Sequence, residues 1–180
     1  MGEIGAQLIG LAGTAVAIAS FQFKKNQIFF AMQALAAVCF SVHFFLLGAT
    51  AGMALNVYCI FRGWLMLERD RGRAWARSRW AKIALYALCP IAVAITWTGD
   101  WRAVLSTVGT LIGTYAMYCG VPRRIRILQV SLVSPCWLIY NLLCHSVAGV
   151  LTESFNMVSS AVFLIRIRRS GAQTAPKANP

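Results

Sequence analysis

Five polar side chains sit inside long apolar stretches of this chain, and their chemistry has to be accounted for first: His43, Asn56, Asn141, Glu153 and Asn156. An amide in apolar surroundings needs a hydrogen-bond partner, so each asparagine either bridges neighbouring helices or grips a polar solute. Asn56 and Asn156 suit the second role as a facing pair. Glu153 is the acidic residue placed within an apolar segment and His43 the histidine well inside one, which permits a hydrogen-bonded pair or a proton relay. Glu153 also falls within a turn of the outer boundary, so interfacial solvation and a structural pair with His43 or Arg62 stay open; His145 lies at that boundary, where water solvates it. Arg62 either snorkels to headgroups or makes a buried contact. Trp137, with Phe40 at the matching place earlier in the chain, is either an apolar platform for a ring-bearing ligand or a lipid and core contact.

No catalytic set accompanies these residues. Closely spaced carboxylates, a G-x-S-x-G elbow, an H-E-x-x-H pair and a phosphate-cradling glycine loop are all missing from the sequence, so an enzyme is not expected. The six cysteines, Cys39, Cys59, Cys89, Cys119, Cys136 and Cys144, lie in apolar stretches without a C-x-x-C pair. They read as small hydrophobes rather than as a disulfide or zinc framework, and neither metal nor cofactor is expected.

The elements that carry these residues follow from composition. Of 180 residues 59% are hydrophobic and 12% charged, with a mean hydropathy of +0.66, whereas a soluble domain carries roughly a quarter charged residues. The chain reads as an all-α membrane protein with seven spans: Ile4 to Phe21, Ile28 to Leu47, Met53 to Leu67, Ala81 to Trp97, Ala103 to Val121, Ile127 to His145 and Val150 to Ile165. Glu3 stands where a signal peptide would need basic residues, so the first span is expected to be retained. Pro90 and Pro135 are positioned to kink their helices.

Net charge is +12 and the cations lie between apolar segments, a pattern of topology signals and anionic-lipid contact rather than of nucleic-acid binding. With the N-terminus periplasmic and the C-terminus cytoplasmic, Lys24 and Lys25, the basic loop from Arg69 to Lys82, Arg123, Arg124 and Arg126, and the cations after Ile165 all face inward. Omitting the third span would turn the Arg69 to Lys82 loop outward. Trp64, Trp75 and Trp80 around that loop, and Trp97 and Trp101 at the opposite turn, fit aromatic belts. Residues 1–170 are expected as one polytopic domain, and residues 170–180, with Pro176 and Pro180, as a disordered cytoplasmic tail.

A faint internal repeat runs through the domain. Sliding by 96 residues places Gly10, Gly13 and Ala17 on Ser106, Gly109 and Gly113, stripes that let helices approach closely. Sliding by 97 places Phe40 on Trp137, Leu46 on Leu143, Ala51 on Ala148, Gly52 on Gly149 and Asn56 on Glu153. Residues 1–67 and 102–169 then form two parallel three-helix repeats joined by the basic loop and linker helix of 68–101, a 3+1+3 layout. The inferred helix directions put His43, Asn56, Asn141, Glu153 and Asn156 together in the outer half of the membrane.

The stretch Ser20-Phe21-Gln22-Phe23-Lys24, then Ser41-Val42-His43-Phe44-Phe45-Leu46-Leu47-Gly48-Ala49, with Asn56 and Arg62, resembles the YgjV family of bacterial inner membrane proteins. More distantly, the layout is similar to the SWEET and PQ-loop group of small-solute carriers, in which a Pro-Gln pair lets the first helix of each repeat flex. Here Phe21 precedes Gln22 and Pro122 precedes Arg123, so Gln22 and Pro122 hold the places of that hinge without its full pair. By the same analogy Asn56 and Asn156 are the paired asparagines of the third helices. What these observations imply is an inner-membrane carrier of a small polar solute, with lipid as its other partner. The alternative is a scaffold or regulator that engages anionic lipid or a partner protein through the basic loop.

Overall fold

A computed structural model describes residues 3–23 and 25–173, the side chains of Asn26 and of residues 170–173 excepted. Its elements are α1 (Glu3–Ser20), α2 (Asn26–Leu46), α3 (Thr50–Asp70), α4 (Arg79–Ile95), α5 (Arg102–Cys119), a rod α6 (Pro122–Leu143) and α7 (Val147–Gln173). A 3-10 turn, Trp75–Arg77, precedes α4, and no strand occurs among the described residues. Long runs rich in Ala, Leu, Ile and Phe can only satisfy their backbone by helix in apolar surroundings. The breaks are local: Gly48 (φ +70°) turns the chain between α2 and α3, and Gly120 in the left-handed region ends α5 just before Pro122 starts α6 at its first turn. Ser78 caps α4 by accepting the Ala81 N–H at 3.1 Å. The expected effect of Pro135 takes the form of a π turn at Gln129–Val133, immediately before it, because proline leaves the carbonyl four residues back without its donor.

Six helices close into a ring: α1 packs on α2, α2 on α3, α3 on α5, α5 on α6, α6 on α7, and α7 back on α1, while α4 lies outside against α3 and α5. Small residues set the seams. A Cβ at Gly13 would lie 3.0 Å from Cys39 Cβ and 3.2 Å from the Phe40 ring; a Cβ at Gly109 would lie 3.0 Å from Cys136 Cβ and 3.1 Å from the Trp137 ring. Both seams thus obey the offsets of 96 and 97. Between α1 and α7 the hydroxyls of Thr14 and Thr152 meet at 2.8 Å.

Several expectations change. Four helices are long and apolar enough to cross a membrane, Glu3–Ser20, Gln27–Leu46, Pro122–Leu143 and Val147–Arg169, where seven spans were expected. The other three fall short for separate reasons. Helix α3 carries Arg62 and a charged end at Glu68, Arg69 and Asp70; α4 has 17 residues; α5 is interrupted by Ser106, Thr107, Thr110 and Thr114. Helix α3 nevertheless runs 21 residues, longer than its apolar core, and closes at its C-terminus with the Arg71 N–H on Leu67 O. Helix α7 continues through Gln173, into the segment expected to be disordered; Lys24 and residues 174–180 lie outside the described residues.

Candidate functional site

The ring encloses a cavity of about 450 Å³. Its rim is formed by Phe23, Gly120 and Pro122 at the end of the bundle where the basic segments lie, and it extends inward to Phe44, Asn141 and Gly149. All of α1, α2, α3, α5, α6 and α7 contribute to its wall.

Beyond Phe44 and Asn141 the bundle is shut by cross-struts. His43 Nδ1 lies 2.7 Å from Ala6 O, which only accepts, so this nitrogen donates; Nε2, 2.7 Å from Ser146 Oγ, accepts the hydroxyl proton of Ser146. Ser146 Oγ in turn accepts the Gly149 N–H at 3.0 Å. Tyr140 Oη accepts the Gly52 N–H at 2.7 Å. His43 thus ties α2 to α1 and to the start of α7, and Tyr140 ties α6 to the start of α3. The Phe44, Trp137 and Tyr140 rings fill the space between them, with centroids 5.6 to 6.2 Å apart.

The sequence-derived candidates separate into two groups. Asn56, Asn141, Asn156, Glu153, Trp137, Phe40, Arg62 and Pro122 line the cavity. His43 does not: it is fully buried in the strut layer and touches neither Glu153 nor Arg62. Gln22 is exposed in the turn between α1 and α2, outside the cavity wall, while its neighbours Phe21 and Phe23 belong to it. His145 is exposed, as expected for the boundary. The reading of Arg62 as a headgroup contact gives way to an inward one, since its guanidinium donates to Thr114 Oγ1 at 3.2 Å across the α3–α5 seam.

Glu153 lies on the cavity wall. Its Oε2 accepts from Ser134 Oγ at 2.6 Å and from Asn156 Nδ2 at 3.4 Å, and Gln129 Nε2 donates to the same serine at 2.8 Å. The π turn is what brings Gln129 and Ser134 together, since its wider winding lets side chains five residues apart share one face. Asn56 Nδ2 donates to Gly52 O on its own helix at 2.8 Å. The offset that superposes the seams pairs Asn56 with Glu153 rather than with Asn156. Asn141, 2% exposed, keeps its Oδ1 without a protein partner against Gly149 at the closed end.

Arg126 was missed by sequence reasoning. It lines the cavity near the rim, 4.9 Å from the Phe21 ring and 5.4 Å from the Phe163 ring, with contacts of 3.5 Å to Ser159 Oγ and Ser160 Oγ. The signal was available: it stands three residues past Arg123, within an otherwise apolar run, on the side of α6 that faces α7.

Comparison with known proteins points to a bacterial inner membrane protein. No solved structure matches the chain. Inner membrane protein YgjV of Escherichia coli (strain K12) is 23% identical over 164 residues, covering 91% of this chain and 85% of that protein. The model of Imp-YgjV, described as bacterial inner membrane protein, matches residues 4–171. With nearly the whole described chain inside that match, the protein belongs to the Imp-YgjV family of bacterial inner membrane proteins.

Proposed function

We propose that this protein carries a small polar solute across the cytoplasmic membrane by alternating access between two three-helix halves, α1–α3 and α5–α7, with α4 as linker. The observation that carries the reading is the cavity of about 450 Å³ between the halves, reaching one end of the bundle and shut by struts at the other. The repeated seams at Gly13 and Gly109 support two halves of like orientation, the parallel-repeat arrangement of SWEET-type carriers. In this reading all seven helices cross: the ring aligns α3 and α5 with the four more apolar helices, and α4 packs alongside those two. The cavity mouth then faces the cytosol with Arg69 to Lys82, and the N-terminus faces the periplasm. No enzymatic step is assigned.

Uptake into proteoliposomes across a panel of metabolites tests the carrier. Solute-dependent flux that falls at least tenfold in the Asn56→Ala, Asn156→Ala double variant is expected. Undiminished flux in that variant overturns the site. A reporter after Pro180 that is active in the periplasm overturns the topology.

A second reading is favoured by one surface. Trp64 and Trp75 stack at 5.1 Å and Trp80 is 77% exposed beside exposed Arg71 and Arg73, an arrangement suited to anionic lipid or a partner protein. Copurification of a stable partner with no solute flux would favour that scaffold role over the carrier.

A further inference from the structure

Resting on the carrier reading, we propose that the cavity selects a small amino acid, its ammonium group innermost on Glu153 and its acid groups toward the rim on Arg62 and Arg126. Ionisable groups at membrane depth are expensive, and they are retained where they meet an opposite charge. Here three such side chains line one cavity, and among the described residues none of the three makes an ion pair; the Arg71–Glu68, Arg73–Glu68 and Arg102–Asp100 salt bridges lie outside it. Glu153 engages Oε2 only, leaving Oε1 free of protein hydrogen bonds. The guanidinium of Arg62 spends one donor on Thr114, and that of Arg126 makes only long contacts, so both keep donors for a bidentate acid group.

The charges are ordered along the cavity. Acceptors lie at the closed end. Asn141 Oδ1 abuts Gly149, and Gly149 precedes Glu153 by one helical turn, about 6 Å of rise. The free Oε1 of Glu153 and the Trp137 side chain, both on the cavity wall, bound a site suited to an ammonium group, with Asn141 Oδ1 buried behind it. Donors lie toward the rim. Arg62 is six residues beyond Asn56, the counterpart of Glu153 on the opposite wall, about 9 Å nearer the basic end; Arg126 lies in the first turn and a half of α6. A solute with its cation inward and its anion outward satisfies both ends at once, which an uncharged polyol does not. Two guanidiniums against one carboxylate leave an excess of one positive charge, so an acidic amino acid binds more tightly than a neutral one.

Calorimetric titration of the purified protein with L-aspartate, L-alanine, succinate, propylamine and sorbitol tests the assignment, alongside proteoliposome uptake of the same five. L-Aspartate is expected to bind tightest, L-alanine next, and succinate and propylamine at least tenfold more weakly than L-aspartate. Glu153→Gln, which keeps an oxygen for Ser134, should weaken L-aspartate at least tenfold without weakening succinate. Arg62→Gln and Arg126→Gln should weaken L-aspartate and succinate alike. Sorbitol binding as tightly as L-aspartate, L-aspartate binding unmoved by Glu153→Gln in a variant that melts like the parent, or no binding by any of the five overturns the assignment. Uptake of sorbitol without binding of L-aspartate overturns it and leaves the carrier standing. Binding of L-aspartate without uptake of any solute overturns the carrier and leaves the site.

Discussion

The seam between α1 and α2 and the seam between α5 and α6 bring their backbones together in the same way, Gly13 on Cys39 and Phe40 in one, Gly109 on Cys136 and Trp137 in the other, with the closest approach at 3.0 Å in both. A few residues further along, the side chains have little in common. At the offset of 97, His43 corresponds to Tyr140, Phe44 to Asn141, Asn56 to Glu153 and Arg62 to Ser159. The small residues therefore fix how closely the helices meet, and the chemistry of the cavity varies independently on that frame. Two alike seams thus frame an asymmetric interior: the orphan amide and the carboxylate come from α6 and α7, the aromatic residues and another amide from α2 and α3.

The largest expected effect breaks that likeness. Gly10 corresponds to Ser106, which accommodates a side chain while fully buried, yet a Cβ at Gly10 would lie 2.6 Å from Ala148 Cβ and 2.7 Å from His43 Nδ1. Gly10→Ala should push apart α1 and α7 and unseat the His43 strut. A loss of about 3 kcal/mol is expected, on the order of 10 °C in melting temperature of the detergent-solubilised protein. A melting temperature within about 2 °C of the parent would show that the seam is looser than its geometry implies.

Next come the struts. His43→Phe strands Ala6 O and the Ser146 hydroxyl, whereas Tyr140→Phe strands the single Gly52 N–H. Losses of about 2 and about 1 kcal/mol are expected in thermal melts, in that order. The reverse order would mean that the strut from α6 holds the closed end and the one from α2 merely fills space.

The matched glycines sharpen the comparison. Gly13→Ala and Gly109→Ala should each cost about 1 kcal/mol and agree to within about 0.5 kcal/mol, because each new methyl meets a Cβ at the same separation. Unequal losses would break the equivalence of the seams. Gly113→Ala is the control: its nearest neighbour is 3.5 Å away and the other seam already has Ala17 there, so the variant should melt at or slightly above the parent.

These small-residue stripes were legible in the sequence because a spacing of three and four on a helix reports one face directly. So was the set of amides around the cavity, Asn56, Asn141 and Asn156, since polar groups deep in apolar helices have few places to go. What was not legible was direction around each helix. His43 reads like a site residue but turns toward α1 and α7 as a strut, and Arg62 reads like a headgroup contact but turns toward Thr114. Arg126 was absorbed into a basic turn whose charge explained topology well enough on its own. The π turn that joins Gln129 and Ser134 to Glu153 leaves no periodic signal, because it shifts the phase of a single helix by one residue. The apolar runs locate all seven helices, but four of them are long and apolar enough to cross a membrane; Arg62 and a charged end in α3, the 17 residues of α4 and the hydroxyls of α5 keep those three short of it.

The smallest expected effect concerns how the two seams end. On the first, His43 closes the end by holding Ala6 O; on the second, Arg102, the counterpart of Ala6, donates to Leu143 O at 2.8 Å and is itself held by Asp100, whose Oδ1 lies 2.7 Å from its Nε. The hydrogen bond from Arg102 keeps the Asp100 carboxyl below the ordinary aspartate range of about 4. A carboxyl whose value is depressed on folding contributes stability above its unfolded-state value and loses it as the pH falls through the folded-state one. Asp100→Asn should therefore lower the melting temperature slightly at pH 7, by the equivalent of less than about 1 kcal/mol for so exposed a pair. The gap from the parent should close as the pH is lowered through the range, below that of an ordinary aspartate, in which the parent's own carboxyl becomes protonated. A gap of the same size at both pH values would show that the charge on Asp100 does not hold Arg102 in place, and the second seam would then close through the bond from Arg102 to Leu143 O, by hydrogen bonding as the first does.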